Sequence, residues 1–151
     1  MTNIVIRKAV ENDLSRLYEL GFTAYTQESL ASFEMNLSED KLKFVGEQAI
    51  KGGWSFVLVI DDIIVGCMLG AINPMMISDA LVYGEIMFFI DEPYRKFTKT
   101  FIKKIECELI NNGVSKFVLA NIETNGADKI DRFYSIMGFK KMETHYMKSL
   151  N

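Results

Sequence analysis

The sequence predicts an α/β (α+β) domain: a mixed sheet with helices on both faces. Three observations predict it. β-Rich runs and amphipathic helical stretches alternate in the order β-α-α-β-β-β-α-β-α-β. Two of the central runs are joined by an Asp61-Asp62 turn, as in a hairpin. A later strand–helix–strand unit calls for a crossover connection. The 151 residues, 49% hydrophobic and 25% charged, suit one domain over 1–151 with its own core. That composition excludes disordered, collagen-like and pure coiled-coil chains.

Each element has its own signal. Asn3 to Ala9 alternates around Ile4 and Ile6, a short strand. Asp13 is a candidate N-cap for a helix with Leu14, Leu17, Leu20 or Gly21, and Tyr25 at helical spacing. Residues 27–37 are polar and irregular. A second helix is expected from about Ser38, with Leu42, Val45, Ala49 and Ile50 on one face and Gly52-Gly53 as its stop. Trp54 to Ile60 and Ile63 to Ile72 form the hairpin, Asn73 to Asp79 a loop, and Leu81 to Ile90 the next strand. Thr98 or Thr100 is a candidate cap for a third helix, whose stripe is Phe101, Ile102, Ile105 and Leu109, ended by Gly113. Lys116 to Ile122 is expected to be a fifth strand. The last helix places Ile130, Phe133, Tyr134 and Met137 at i, i+3, i+4 and i+7, and Gly138 stops it with Phe139 packing back. A C-terminal strand is expected over about Lys140 to Leu150.

Charge and scarce residues narrow the function. With 17 Lys and Arg against 20 Asp and Glu the net charge is −3, without the basic footprint of a duplex nucleic-acid binder. No apolar run approaches the ~20 residues of a membrane span. The N-terminus lacks a signal-peptide layout, so a cytoplasmic protein is expected. Cys67 and Cys107 lie in separate apolar segments and His145 is the only histidine. A structural zinc site has no ligand set here, and His145 has no nucleophile motif beside it.

Four segments, in order along nearly the whole chain, carry a resemblance. They are Ile6-Arg7-Lys8-Ala9 with Asp13 and Leu14; Gly84 to Arg95; Phe133-Tyr134-Ser135-Ile136-Met137-Gly138-Phe139; and the tail Glu143 to Leu150. The chain resembles the GNAT superfamily of N-acetyltransferases, in its phage and bacterial form. The resemblance implies a mostly antiparallel central sheet of six to seven strands flanked by about four helices. It also implies acetyl-CoA as acyl donor and a primary amine as acceptor: a small molecule, a peptide N-terminus or a lysine. A homodimer is compatible with it, the apolar Asn73 to Ile77 loop being a candidate contributor. One departure stands out. Where the family carries a glycine-rich pyrophosphate loop, this chain has Arg95-Lys96-Phe97-Thr98-Lys99-Thr100. Glycine permits φ > 0 and close approach to phosphate, and β-branched threonine resists both. Either a shorter loop and its lysines still bind the anion, or the chain is a non-catalytic CoA-binding, protein-interaction or virion module.

Acetyl transfer to an amine needs a neutral nucleophile, a stabilised oxyanion and a protonated leaving thiolate. Glu85, the only charged residue from Leu81 to Ile90, is the candidate base, since partial burial raises a carboxyl pKa into a useful range. A strand-end glutamate facing solvent is its plainer reading. The resemblance makes Tyr134, four residues before Gly138, the candidate acid, although on its stripe it reads equally as a core aromatic. The resemblance assigns the cofactor arm to the backbone of Met87, Phe88, Phe89 and Ile90, and the phosphates to Arg95 through Thr100. Asn121 or Asn125 is a further cofactor candidate. The acceptor walls are expected from Tyr25, Glu28, Phe33, Glu34, Met75 and Met76.

Overall fold

The computed structural model describes residues 1–27, 33–123 and 126–150. Its sheet has five strands in the order in which they occur along the chain: β1 (Ile4–Lys8), β2 (Phe56–Ile60), β3 (Ile63–Pro74), β4 (Leu81–Ile90) and β5 (Lys116–Val118). All neighbours are antiparallel except β4 and β5, which are parallel and joined through helix α3 (Thr98–Asn111). Helices α1 (Leu14–Gln27) and α2 (Glu39–Lys51) cover one face, α3 the other, and α4 (Ala127–Ile136) follows β5.

β2 explains why both faces are covered. Its run Phe56-Val57-Leu58-Val59-Ile60 is buried throughout, and alternate side chains enter different cores. Phe56, Leu58 and Ile60 pack with Phe101, Ile102, Ile105 and Leu109 of α3. Val57 and Val59 pack with Leu17 and Leu20 of α1 and Ala49 of α2. Asp61 and Asp62, at φ 47° and 66°, make the tight hairpin that joins β2 to β3.

Local chemistry fixes the ends. Ser38 caps α2 by accepting a hydrogen bond from the Lys41 N–H. Gly53, Gly113 and Gly138 take the left-handed conformation just beyond α2, α3 and α4. Asp13 belongs to a short 3-10 turn, Glu11–Asp13, and its carboxylate turns back to the Arg7 guanidinium at 2.7 and 2.9 Å and to the Val10 N–H at 2.8 Å. It thus ties β1 to the start of α1, where an N-cap was expected.

Three expectations are corrected. Neither Thr98 nor Thr100 caps α3: a 3-10 turn, Glu92–Phe97, runs straight into it, and the Thr98 hydroxyl donates back to the Arg95 carbonyl at 2.6 Å. β5 ends at Val118 instead of Ile122. Residues 140–150 are exposed and form no strand, so the described sheet has five strands and not six to seven. The physical reason is pairing: a strand needs a partner edge, and β5 holds β4 over only Val82 to Gly84.

Candidate functional site

That short pairing opens the site. From Glu85 onward β5 no longer covers the outer edge of β4, and a cavity of about 1000 Å3 occupies the space between β4, α4 and the α1–α2 pair. β4 is also irregular here. Glu85 faces Gly70 and Met87 faces Leu69, so Ile86 is an extra residue bulged out of the ladder. A bulge bends its strand and re-aims the groups beside it. At this point it turns the backbone following Glu85 along the cavity wall. Gly21 of α1 makes room opposite, since a Cβ there would lie 3.1 Å from Leu42 of α2 and 3.4 Å from the Met87 sulfur.

The sequence-predicted chemistry converges at this wall. Glu85 and Tyr134 both line the cavity, and both are tethered to Ala120. The Ala120 N–H bonds to the Glu85 carboxylate, and the Tyr134 hydroxyl donates to the Ala120 carbonyl at 3.2 Å. Burial pushes the Glu85 carboxyl up to about 7, the Ala120 N–H opposing it more weakly. The Tyr134 ring packs against Phe133 and Phe139, and the Phe139 N–H closes the end of α4 on the Tyr134 carbonyl. The site therefore has a carboxyl group poised near neutrality and a hydroxyl held by one residue between them.

Other candidates divide. Met87, Phe88, Phe89, Ile90, Arg95, Thr98 and Asn121 line the cavity, as does Tyr25. Lys96, Lys99 and Thr100 are exposed just outside its wall, and the Phe97 ring packs into the α3 core. Asn121 directs its amide nitrogen to the Ala127 carbonyl at 2.8 Å and to Asp131 at 2.7 Å, and its buried Oδ1 has no hydrogen-bond partner among the described residues. Phe33, Glu34, Met75 and Met76, expected as acceptor walls, are not among the described residues that line the cavity. β3 and β4 stay paired as far as Pro74 and Leu81, so Met75 and Met76 sit in a turn beyond the end of the sheet. Glu34 instead accepts a hydrogen bond from Ser149 at 2.7 Å. Glu28 and Asn125 lie outside the described residues.

The threonine segment behaves differently from a glycine loop. Phe97 and Thr98 have φ of −89° and −53°, and none of residues 92–100 has positive φ. The β-branched side chains are therefore unstrained. In exchange, the 3-10 turn uses backbone donors internally, the Thr98 N–H bonding to the Arg95 carbonyl. What remains to meet an anion is the positive end of α3 with Arg95, Lys96 and Lys99.

Sequence reasoning missed the Ile86 bulge and the contribution of Tyr18, Met35, Leu37, Lys41 and Leu42 to the wall. The bulge has no composition signal. The helical residues lie on stripes that pattern alone assigns to the core.

No protein-family model and no curated protein sequence matches the chain. Solved structures do. The chain is similar to AAC(6')-Iy, an aminoglycoside N-acetyltransferase solved with a CoA bisubstrate analogue, at TM-score 0.75 and 15% identity, covering 99% of each chain. It is similar to a Trypanosoma brucei acetyltransferase at TM-score 0.67 and 22% identity, covering 98% of this chain and 100% of that one. Glucosamine-6-phosphate N-acetyltransferase from Arabidopsis thaliana matches at TM-score 0.67 and 15% identity, covering 99% of each. The chain has the GNAT fold. The gap beside β4, the bulge at Ile86 and the crossover through α3 are how this sequence builds the GNAT fold around its cavity.

Proposed function

We propose that the protein is an acetyl-CoA-dependent N-acetyltransferase, a single catalytic domain over 1–151 that moves an acetyl group to a primary amine by direct attack in a ternary complex. The observation that carries this is the joint placement of Glu85 and Tyr134 on one cavity wall, both held by Ala120. The fold shared with acetyltransferases supports it.

The residues present fit the donor. The exposed β4 edge from Glu85 to Ile90 offers peptide groups to an extended amide-bearing arm. Arg95, Lys96 and Lys99, beside the positive end of α3, offer charge to phosphates. Acetyl-CoA, when bound, supplies the acetyl thioester. Glu85, ionised above neutral pH in its buried setting, accepts the proton of an incoming ammonium directly or through water. Peptide N–H groups at the β4 bulge stabilise negative charge developing on the acyl oxygen. The Tyr134 hydroxyl, held at the wall by its bond to the Ala120 carbonyl, would turn from that carbonyl to give its proton to the departing sulfur. The non-catalytic alternative drew its force from threonines in a glycine loop, and the negative φ values of Phe97 and Thr98 weaken it.

The test is thiol release from acetyl-CoA in the presence of primary amines. Glu85→Gln and Tyr134→Phe are each expected to slow transfer by roughly 100-fold or more, the range for losing one acid or base group. Acetyl-CoA affinity should stay near wild type in both. Unchanged rates in both variants would remove these two residues from the chemistry.

A further inference from the structure

We infer that the acceptor is a primary amine with a single positive charge on an apolar body, not a polycationic amino sugar. The inference rests on the acetyltransferase reading and narrows its substrate. The α1–α2 side of the cavity is lined by Tyr18, Tyr25, Met35, Leu37 and Leu42 with Asn36 and Ser38 among them, and β4 adds Ile86. Among the described lining residues Glu85 is the only carboxylate, against Lys41, Lys43 and Arg95. An ammonium group leaving water must be paired or it carries a large desolvation cost. One carboxylate answers one such group, and additional cations on the ligand meet apolar carbon or the two lysines.

The hydroxyls of the two wall tyrosines are already engaged. The Tyr25 hydroxyl donates to the Met35 carbonyl at 2.6 Å. The Tyr18 hydroxyl is hydrogen-bonded to Glu39, and the Lys43 ammonium lies 4.9 Å from the centre of the Tyr18 ring. Both tyrosines therefore contribute ring carbon to the pocket. Gly21 adds to its apolar floor, because the missing side chain lets Leu42 and Met87 close in from α2 and β4. Several proteins of this fold are named for aminoglycosides. This wall is chemically unlike what an aminoglycoside's several ammonium groups require.

The experiment is calorimetric titration of two amines, phenethylamine and sisomicin, into the full chain saturated with CoA, so that no turnover occurs. CoA is titrated first. Phenethylamine should bind at least about tenfold more tightly than sisomicin, a selectivity typical of apolar pockets, with a negative heat-capacity change that marks buried apolar surface. Sisomicin binding equally well, or neither amine binding, overturns the inference while CoA binding leaves the acetyltransferase reading standing. Absence of CoA binding overturns both. Leu37→Glu adds a carboxylate to the wall and should narrow the gap between the amines. An unchanged gap in a variant that still binds CoA would place the acceptor elsewhere and sink the inference.

Discussion

Glu85 holds its proton to higher pH than a carboxyl group in water, because burial removes solvent that would stabilise the charge. Moving from the ordinary 4.5 to about 7 corresponds to roughly 3 kcal/mol between folded and unfolded chains. Below 4.5 both states carry the proton and Glu85 leaves stability unaffected. From 4.5 to about 7 the unfolded chain loses it first, so stability falls as pH rises, and above that the whole cost is present. Glu85→Gln should therefore match wild type in urea unfolding at about pH 4 and exceed it at about pH 8–9. A stability difference that does not change with pH would contradict a buried carboxyl. With Glu85 as the proposed base, kcat of the wild type should rise with pH through about 7 and the Gln variant should lack that limb. Glu85 was legible in the sequence because it is the one charge in an apolar strand. The burial that tunes it was legible too, but the Ala120 partner was not, since it comes from a distant part of the chain. Tyr134 was legible only through its distance from Gly138, as an aromatic on an apolar stripe carries no mark of its hydroxyl's direction.

β3 and β4 meet where a single missing side chain decides the packing. Tyr83 is fully buried, donates its hydroxyl to the Trp54 carbonyl at 3.0 Å, and stacks edge-on with Phe117. Its ring lies across Gly70, where a Cβ would fall 2.3 Å from the ring tip and 2.8 Å from the Gly84 carbonyl oxygen. Nothing can yield at that point except the strand pair itself. Gly70→Ala is expected to cost roughly 3 kcal/mol or more, read as a fall in the urea midpoint. Gly84, one strand over, meets no atom within 4 Å of its would-be Cβ, so Gly84→Ala should stay within about 1 kcal/mol of wild type. Equal effects at both positions would show that generic strand propensity, not the Tyr83 ring, is being measured. The elements themselves were largely readable. α2 begins at its Ser38 cap, β4 runs from Leu81 to Ile90, and the stripe of α3 is buried as its spacing requires. What pattern could not supply was pairing. The strand expected over Lys140 to Leu150 does not form, β5 stops after three residues, and the bulge at Ile86 exists only as a mismatch between two ladders.

At the scale of the whole molecule, the sheet splays after Gly84 and the two helical layers leave a cavity whose far end meets the start of α3. The sequence worry was that threonines would close this end, and the backbone answers it by remaining helical from Glu92 onward. The consequence is a change in how an anion is held. A glycine loop presents peptide N–H groups, but here the 3-10 turn has used at least the Thr98 N–H, and side-chain cations must supply more of the attraction. Such attraction is screened by salt over about 8–10 Å at ordinary ionic strength. Acetyl-CoA at ~100 times its Kd should add about 2.7 kcal/mol, and so raise Tm by on the order of 5–10 °C for a chain of this size. The rise should shrink as sodium chloride is added. Lys96→Glu combined with Lys99→Glu should abolish most of it while leaving the ligand-free Tm close to wild type, because both side chains are exposed. A shift that survives both charge reversals would mean that backbone groups hold the phosphates after all. No shift in the wild type at millimolar acetyl-CoA would mean that the splayed sheet is not a donor site, and that the chemistry assigned to Glu85 and Tyr134 has nothing to act upon.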